Sequence, residues 1–409
     1  MCVFCFHFEE IATRSLYFCQ VCWQTCTHLD QFRVQHKMNL TCRSTPVLRA
    51  FKTWMLAVMT HTMRVRWFRI LALALLTVWT PVVLASMGMV ELLSSSSSGP
   101  VTVFYPAAAE TKVHYRGPFQ LDVALNAPPA PGNHHLIIIS HGSPASPWVY
   151  SGLARTLVLA GFTVALPEHH GDNYKDDSEP GTPSWKRRPI EVSRAIDRVR
   201  DAPQFGHDLD FTRVGMYGMS AGGHTALSLA GGRWSPFRLR THCKQNITMD
   251  FHGCAGLATS LTGGPLDNIK IAVVRFILGY KLDDHVWYEH TDPRITAIVA
   301  GVPFAADFDP ESLKQPQVSL ALITARLDRW LAPQFHGDAI LAVCNSCEHL
   351  AELPNGGHGA LLDPLPDDMS PRMAALIGDP PGFDRRADVP KLNQAITAFF
   401  RRKLGTGSK

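Results

Sequence analysis

The chain has 409 residues, of which 46% are hydrophobic and 18% charged, with 30 Gly and 29 Pro. These figures exclude a disordered, collagenous or coiled-coil protein and fit one enzyme-sized core, because α/β folds often use about 200 to 300 residues as a single unit. The net charge of +4 is concentrated at one end: 9 basic and 3 acidic residues precede Ser86, and the remaining 30 basic and 32 acidic residues make nucleic acid a poor partner.

At the start of the chain, Cys2-x2-Cys5 and Cys19-x2-Cys22, with Cys26 and Cys42 nearby, approximate a paired zinc motif. The 13 residues between the pairs are slightly too few, and the glycine turns and basic helix of a nucleic-acid-binding finger are lacking. Residues 1–62 are therefore read as a wrongly extended reading frame, with Met59 or Met63 as the natural start. Residues 63–85 read as a signal peptide: Arg64, Arg66 and Arg69 form a positive region before the uncharged run ILALALLTVWTPVVLA, which ends in small residues. The run is short for a bilayer span and contains Pro81, and no second long apolar stretch follows. The expectation is a periplasmic or secreted protein that begins near Ser86 and keeps no membrane span. Residues 86–100, with LSSSSSGP at 93–100, read as a linker to a fold starting near Val101.

From 101 to 409, short continuous apolar runs at 136–140 (LIIIS), 162–166, 213–217, 295–302 and 318–324 have the character of strands buried on both faces. A shorter strand is expected at 349–353. Helical patterns at 148–160, 190–201, 221–230 and 392–402 alternate with them, predicting an α/β fold with a mainly parallel sheet covered on both faces. Residues 231–293 break the rhythm and read as an inserted lid over the sheet's carboxyl edge, with a possible helix in IAVVRFILGY at 271–280. Trp234, Phe237, Phe276, Ile277, Leu278, Trp287 and Tyr288 are expected either to roof the pocket or to form the insertion's own core. Cys243, Cys254, Cys344 and Cys347 suit two disulfides, with three pairings open.

The strongest motif is Gly218-Met219-Ser220-Ala221-Gly222-Gly223, directly after a strand and before a helix. GxSxG in that setting places a serine on a sharp turn at the sheet's edge, where only small neighbours allow the chain to reverse. A serine hydroxyl needs a base, and the base needs a carboxylate to orient it. In the order serine, acid, histidine, Asp328 follows the strand at 318–324 and His358 lies in the glycine-flanked loop NGGHG. Asp307 and Asp309 are rival acids one strand earlier. His224, in the helix after Ser220, reads as structural. The oxyanion donors are expected to be the backbone N–H groups of Ala221 and Ser143, the latter in the turn Ser140-His141-Gly142-Ser143.

Together with VFYP (103–106), PEHHGDN (167–173), RPIEVSRAIDRV (188–199), GMYGMSAGGHTAL and GGHGALLDP, these motifs resemble the α/β-hydrolase branch of predicted dienelactone hydrolases, related to the platelet-activating-factor acetylhydrolases. The resemblance runs from Val101 to about Asp363 and implies an exported serine esterase with Ser220, Asp328 and His358 as triad. Cytoplasmic dienelactone hydrolases carry a cysteine where this chain has Ser220, so the label does not fix the reaction. The acid loop Leu327-Asp328-Arg329-Trp330 also lacks a second acidic residue found in many relatives. Glu168, His169, His170 and Asp172 offer zinc or calcium ligands. They read instead as a hydrogen-bonded loop beside the pocket, because a serine triad needs no metal, and no cofactor is expected. The expected partner is a small or lipid-like ester. An acyltransferase or peptidase with the same triad, or a non-catalytic binding protein of hydrolase fold, are the alternatives.

Overall fold

The computed structural model describes residues 86–94 and 99–405. The cysteine pairs of residues 1–62 and the signal segment 63–85 lie outside the described residues. The fold begins earlier than Val101. Ser86–Leu92 forms strand β1, which pairs antiparallel with Val101–Ala107 (β2), from Ser86 opposite Ala107 to Leu92 opposite Val101. This corrects the reading of 86–100 as a linker. Met87, Gly88 and Met89 are buried in succession and Glu91, nearer the strand's end, is exposed, so the segment gains more from burial than from flexibility.

Lys112–Arg116 (β3) and Phe119–Leu125 (β4) make an antiparallel hairpin, and β4 pairs parallel with β1. The strands His135–Ser140 (β5), Thr163–Pro167 (β6), Asp210–Met219 (β7), Ile295–Gly301 (β8), Ser319–Ala325 (β9) and Glu348–Leu353 (β10) run parallel to one another. The ten strands lie in the order β10-β9-β8-β7-β5-β6-β2-β1-β4-β3. The predicted parallel core is present; the mainly antiparallel edge built from β1 to β4 was not anticipated.

Helices cover both faces, as the continuous apolar strands require. On one face pack Thr182–Asp201 (α2) and Ala221–Leu229 (α3), through Trp185, Val192, Ile196 and Leu227. On the other pack Ser151–Leu159 (α1) and the closing helix Arg385–Leu404 (α9), through Leu153, Leu157, Phe399 and Phe400. Helix α2 starts eight residues before the predicted 190 and passes through Pro189, while α9 starts at an Asp384 cap and passes through Pro390. Each predicted start lies just after the proline. The proline removes one helical donor, and the buried face of the helix outweighs that loss.

The insertion contains Pro236–Asn246 (α4), Phe251–Ala255 (α5) and Asp267–Lys281 (α6). A Cys243–Cys254 disulfide ties α4 to α5. Gly337–Val343 (α7) leads into the Cys344–Cys347 disulfide, and Pro371–Ile377 (α8) precedes α9. These two bridges select one of the three pairings left open by the sequence.

Candidate active site

The chain leaves β5 for β6 on one side and returns across β5 to β7 on the other, so the strand order reverses there. Such a reversal opens a crevice at the carboxyl ends of the strands. The register sets Ser140 of β5 beside Gly218 of β7, which brings the two following turns face to face.

Ser220 sits between β7 and α3 at φ 58° and ψ −118°, a conformation costly for any side-chain-bearing residue. The turn closes because its neighbours have no side chain: a Cβ on Gly218 would lie 2.0 Å from the Gly222 carbonyl oxygen, and one on Gly222 would lie 2.0 Å from that of Ser140. The backbone is pinned by the Ser220 N–H donating to Gly301 O at 3.0 Å and by the Phe304 N–H donating to Ser220 O at 3.1 Å.

His358 lies on the short turn after β10, with Nε2 3.0 Å from Ser220 Oγ and Nδ1 2.8 Å from Asp328 Oδ2. Asp328 follows β9, and its other oxygen accepts the N–H groups of Trp330 at 2.8 Å and Leu331 at 2.9 Å. A carboxylate so held takes the Nδ1 proton and leaves a lone pair on Nε2 facing the hydroxyl. The structure thus brings Ser220, Asp328 and His358 into one hydrogen-bonded chain.

Across from Ser220, the Gly142 N–H donates to the Tyr150 hydroxyl at 3.1 Å. Burial pushes that phenol well above its ordinary value. The Ser143 Oγ donates to Asp172 Oδ1 at 2.5 Å. Behind the turn lies fully buried Arg188, which donates to the carbonyls of His141 at 2.5 Å and Gly142 at 3.1 Å and to Asp172 Oδ2 at 2.9 Å. Burial pushes the Asp172 carboxyl up, but Arg188 and the hydroxyls of Ser143 and Ser184 outweigh it, leaving the group below its ordinary value. The guanidinium fixes which way the turn's carbonyls point, and hence which way its amides point.

Residues 59–179 match a family model described as platelet-activating factor acetylhydrolase, isoform II. No curated protein sequence matches the chain. A ferulic acid esterase from Streptomyces cinnamoneus superposes with a TM-score of 0.51 at 15% identity, covering 81% of this chain and 93% of its own. The chain has the α/β-hydrolase fold.

Within this fold the rival acids are committed elsewhere. Asp307 Oδ2 lies 3.0 Å from His224 Nε2, both groups fully buried, with His224 stacked on Trp185. Asp309 caps a short turn and pairs with Arg233. The loop read as a possible metal ligand set is divided among separate partners. Glu168 pairs with Lys175, Asp172 with Arg188, and His169 Nδ1 donates to Glu191 Oε2 at 2.6 Å while its Nε2 lies 2.8 Å from Ser140 Oγ. His141, read as packing on its own turn, accepts the His169 N–H at Nε2 and donates from Nδ1 to Gly142 O. Among the described residues, His242, Asp250 and Cys254 also place ligand atoms within 4.8 Å of one another. The Cys254 sulfur is bonded to Cys243 and offers no thiolate. Burial pushes Asp250 up, but hydrogen bonds from His242 and His336 outweigh it and hold the carboxyl well below its ordinary value.

A cavity of about 480 Å³ opens onto Ser220 and His358. Its walls correct the expectation for the insertion, which contributes Leu257 alone. The walls come instead from the β3–β4 turn (Arg116 to Phe119), from Trp148 and Tyr150, and from Leu362 and α8 with its approach (Arg372, Met373, Leu376). Trp234 is buried against Trp185, His224 and Tyr288, so it belongs to the core beneath the insertion. The proline-rich stretch DPLPDDMSP at 363–371 was the overlooked sequence signal for a wall, being too irregular for a regular element and placed directly after His358.

Proposed function

We propose that the protein is an exported serine carboxylic-ester hydrolase that acts through an acyl-enzyme on small or lipid-like esters. The observation that carries this reading is the hydrogen-bonded chain from Asp328 through His358 to Ser220 at the wall of the cavity. Ser220 Oγ attacks the ester carbonyl and gives its proton to His358 Nε2, while Asp328 stabilises the resulting imidazolium. The Ser220 and Gly142 N–H groups are engaged by Gly301 O and Tyr150 Oη. The next amide in each turn, Ala221 and Ser143, therefore receives the oxyanion. Ala221 opens α3, where N–H groups have no partner within the helix. His358 then protonates the departing alcohol, and water attacks the acyl-enzyme by the same route in reverse.

Both similar proteins are named as ester hydrolases, which supports the class. The two disulfides suit the oxidising compartment expected from the signal-like segment. The apolar wall residues Phe119, Trp148, Leu362, Met373 and Leu376 favour an apolar acyl group, each buried methylene improving binding by about 0.8 kcal/mol until the space is filled. Labelling with a fluorophosphonate, mapped to Ser220, followed by a series of nitrophenyl esters, tests the reading. Activity should rise from acetyl to about butyryl or hexanoyl and then fall. Absence of labelling at Ser220 would refute the mechanism; a flat response to acyl length would refute the substrate class.

A further inference from the structure

Helix α6 buries only Val274, yet it is rich in apolar residues on its outer side. Leu266, Ile269, Val273, Phe276, Ile277 and Tyr280 are all exposed, Phe276 at 81% and Tyr280 at 86%. At 3.6 residues per turn these positions fall within an arc of about 100°, one continuous stripe. Exposed apolar residues normally occur singly, and a stripe of this kind signals a partner.

The charges around the stripe indicate what the partner is. The packed pair α4 and α6 carries Arg238, Arg240, Lys244, Lys270, Arg275 and Lys281 against the single acid Asp267, which pairs with Lys270. The chain beyond Ala85 holds fewer basic than acidic residues, so this is a local cationic region. Beyond α6, Asp283 pairs with Arg240 and Asp284 with Lys186, so Arg238, Lys244, Arg275 and Lys281 are the cations of the pair left without a paired acid among the described residues. Arg275 donates to the Lys244 carbonyl, a contact that holds the side chain without neutralising it.

We infer that α6 docks the protein on an anionic lipid bilayer surface, with its aromatic and aliphatic stripe entering the headgroup boundary and the surrounding Lys and Arg side chains meeting acidic headgroups. A second copy of the chain is a poorer occupant, because a two-fold contact would set the cationic patch against itself. Nucleic acid would reward the cations and leave the stripe exposed. The arrangement is that of an interfacial helix: among the described residues no helix is long and apolar enough to cross a membrane. Residues 256–266, which bring Leu257 to the cavity wall, lead directly into α6, so docking would occur a few residues along the chain from the pocket.

The test is cosedimentation of the full chain with phosphatidylcholine vesicles containing or lacking phosphatidylglycerol, together with hydrogen exchange across α6. The expected result is binding that favours the anionic vesicles, weakens at high salt and protects residues 270–281 from exchange. Phe276→Ser with Tyr280→Ser should lower binding at least about tenfold, and Lys244→Glu with Lys281→Glu should remove the preference for anionic lipid. Hydrolysis of a soluble nitrophenyl ester should be unchanged in both variants. Vesicle binding without protection of α6, equal binding by the serine variant, or a solution dimer abolished by that variant would each overturn the inference.

Discussion

The described residues contain two serine–histidine–carboxylate chains, and they differ in almost everything except residue type. Ser220, His358 and Asp328 are linked at 3.0 and 2.8 Å; Ser140, His169 and Glu191 are linked at 2.8 and 2.6 Å. Ser140 is the last residue of strand β5 and has no exposed surface, and the His169 ring is equally enclosed. Ser220 stands on a strained turn that lines the cavity. The same donor sequence therefore serves two ends. In the enclosed chain it satisfies polar groups that burial would otherwise penalise. In the open chain it leaves the hydroxyl of Ser220, the proposed nucleophile, facing the cavity. Hydrogen-bond geometry alone does not distinguish the two; access and backbone strain do.

Exchanging the serines should separate the two chains most strongly. Ser220→Ala is expected to lower ester hydrolysis by about 10⁴ or more with an unchanged melting temperature, since triad members act as a unit. Ser140→Ala should retain activity within about tenfold and lose about 1–3 kcal/mol of stability by leaving a buried imidazole nitrogen unpaired. Kinetics and thermal melts on the same two preparations check both, and the comparison fails if Ser140→Ala is the inactive one.

The carboxylates offer a sharper version. Asp328→Asn should fold normally and lose activity by up to about 10⁴, because the amide favours the wrong tautomer of His358. Glu191→Gln should keep most activity and lower stability, as it disturbs the links to the buried His169 ring and the His170 N–H. If Asp328→Asn stays active while Asp307→Asn is inactive, the acid belongs one strand earlier.

The smallest effect concerns pH. Burial, with Arg188 adding to it, holds His169 well below its ordinary value, and burial, His169 and Arg188 do the same for His141. The unfolded chain takes up protons near pH 6.5 where these folded groups do not, so their contribution is complete above that pH and is lost as pH falls. Each adds a slope of up to about 1.4 kcal/mol per pH unit below pH 6.5. Melting temperatures from pH 7.5 to 5 should fall, and His169→Gln should flatten part of that fall. An unchanged slope in the variant would count against the enclosed chain as a stability element.

Much of the parallel core was legible because strands buried on both faces are continuous apolar runs, and the central positions at 136–140 and 213–217 carry them. Strand β1 was missed since its methionines and glycine adjoin a serine-rich tract and resemble a linker locally. The approach of Ser220, Asp328 and His358 was legible from chain order and glycine placement. The enclosed chain was not, since Ser140, His169 and Glu191 belong to three separate elements and meet only through packing.

What the sequence determined by itself was local: the turn at Ser220 follows from glycines whose absent side chains are a steric necessity at 2.0 Å, whatever surrounds them. Tertiary structure alone decided which loops wall the cavity, how Arg188 grips the turn before Ser143, and which apolar residues of the insertion face inward. Those outcomes depend on strand order and on the burial of groups far apart in the chain. Trp234 went into the core and Phe276 to the surface for that reason, although composition ranks them alike.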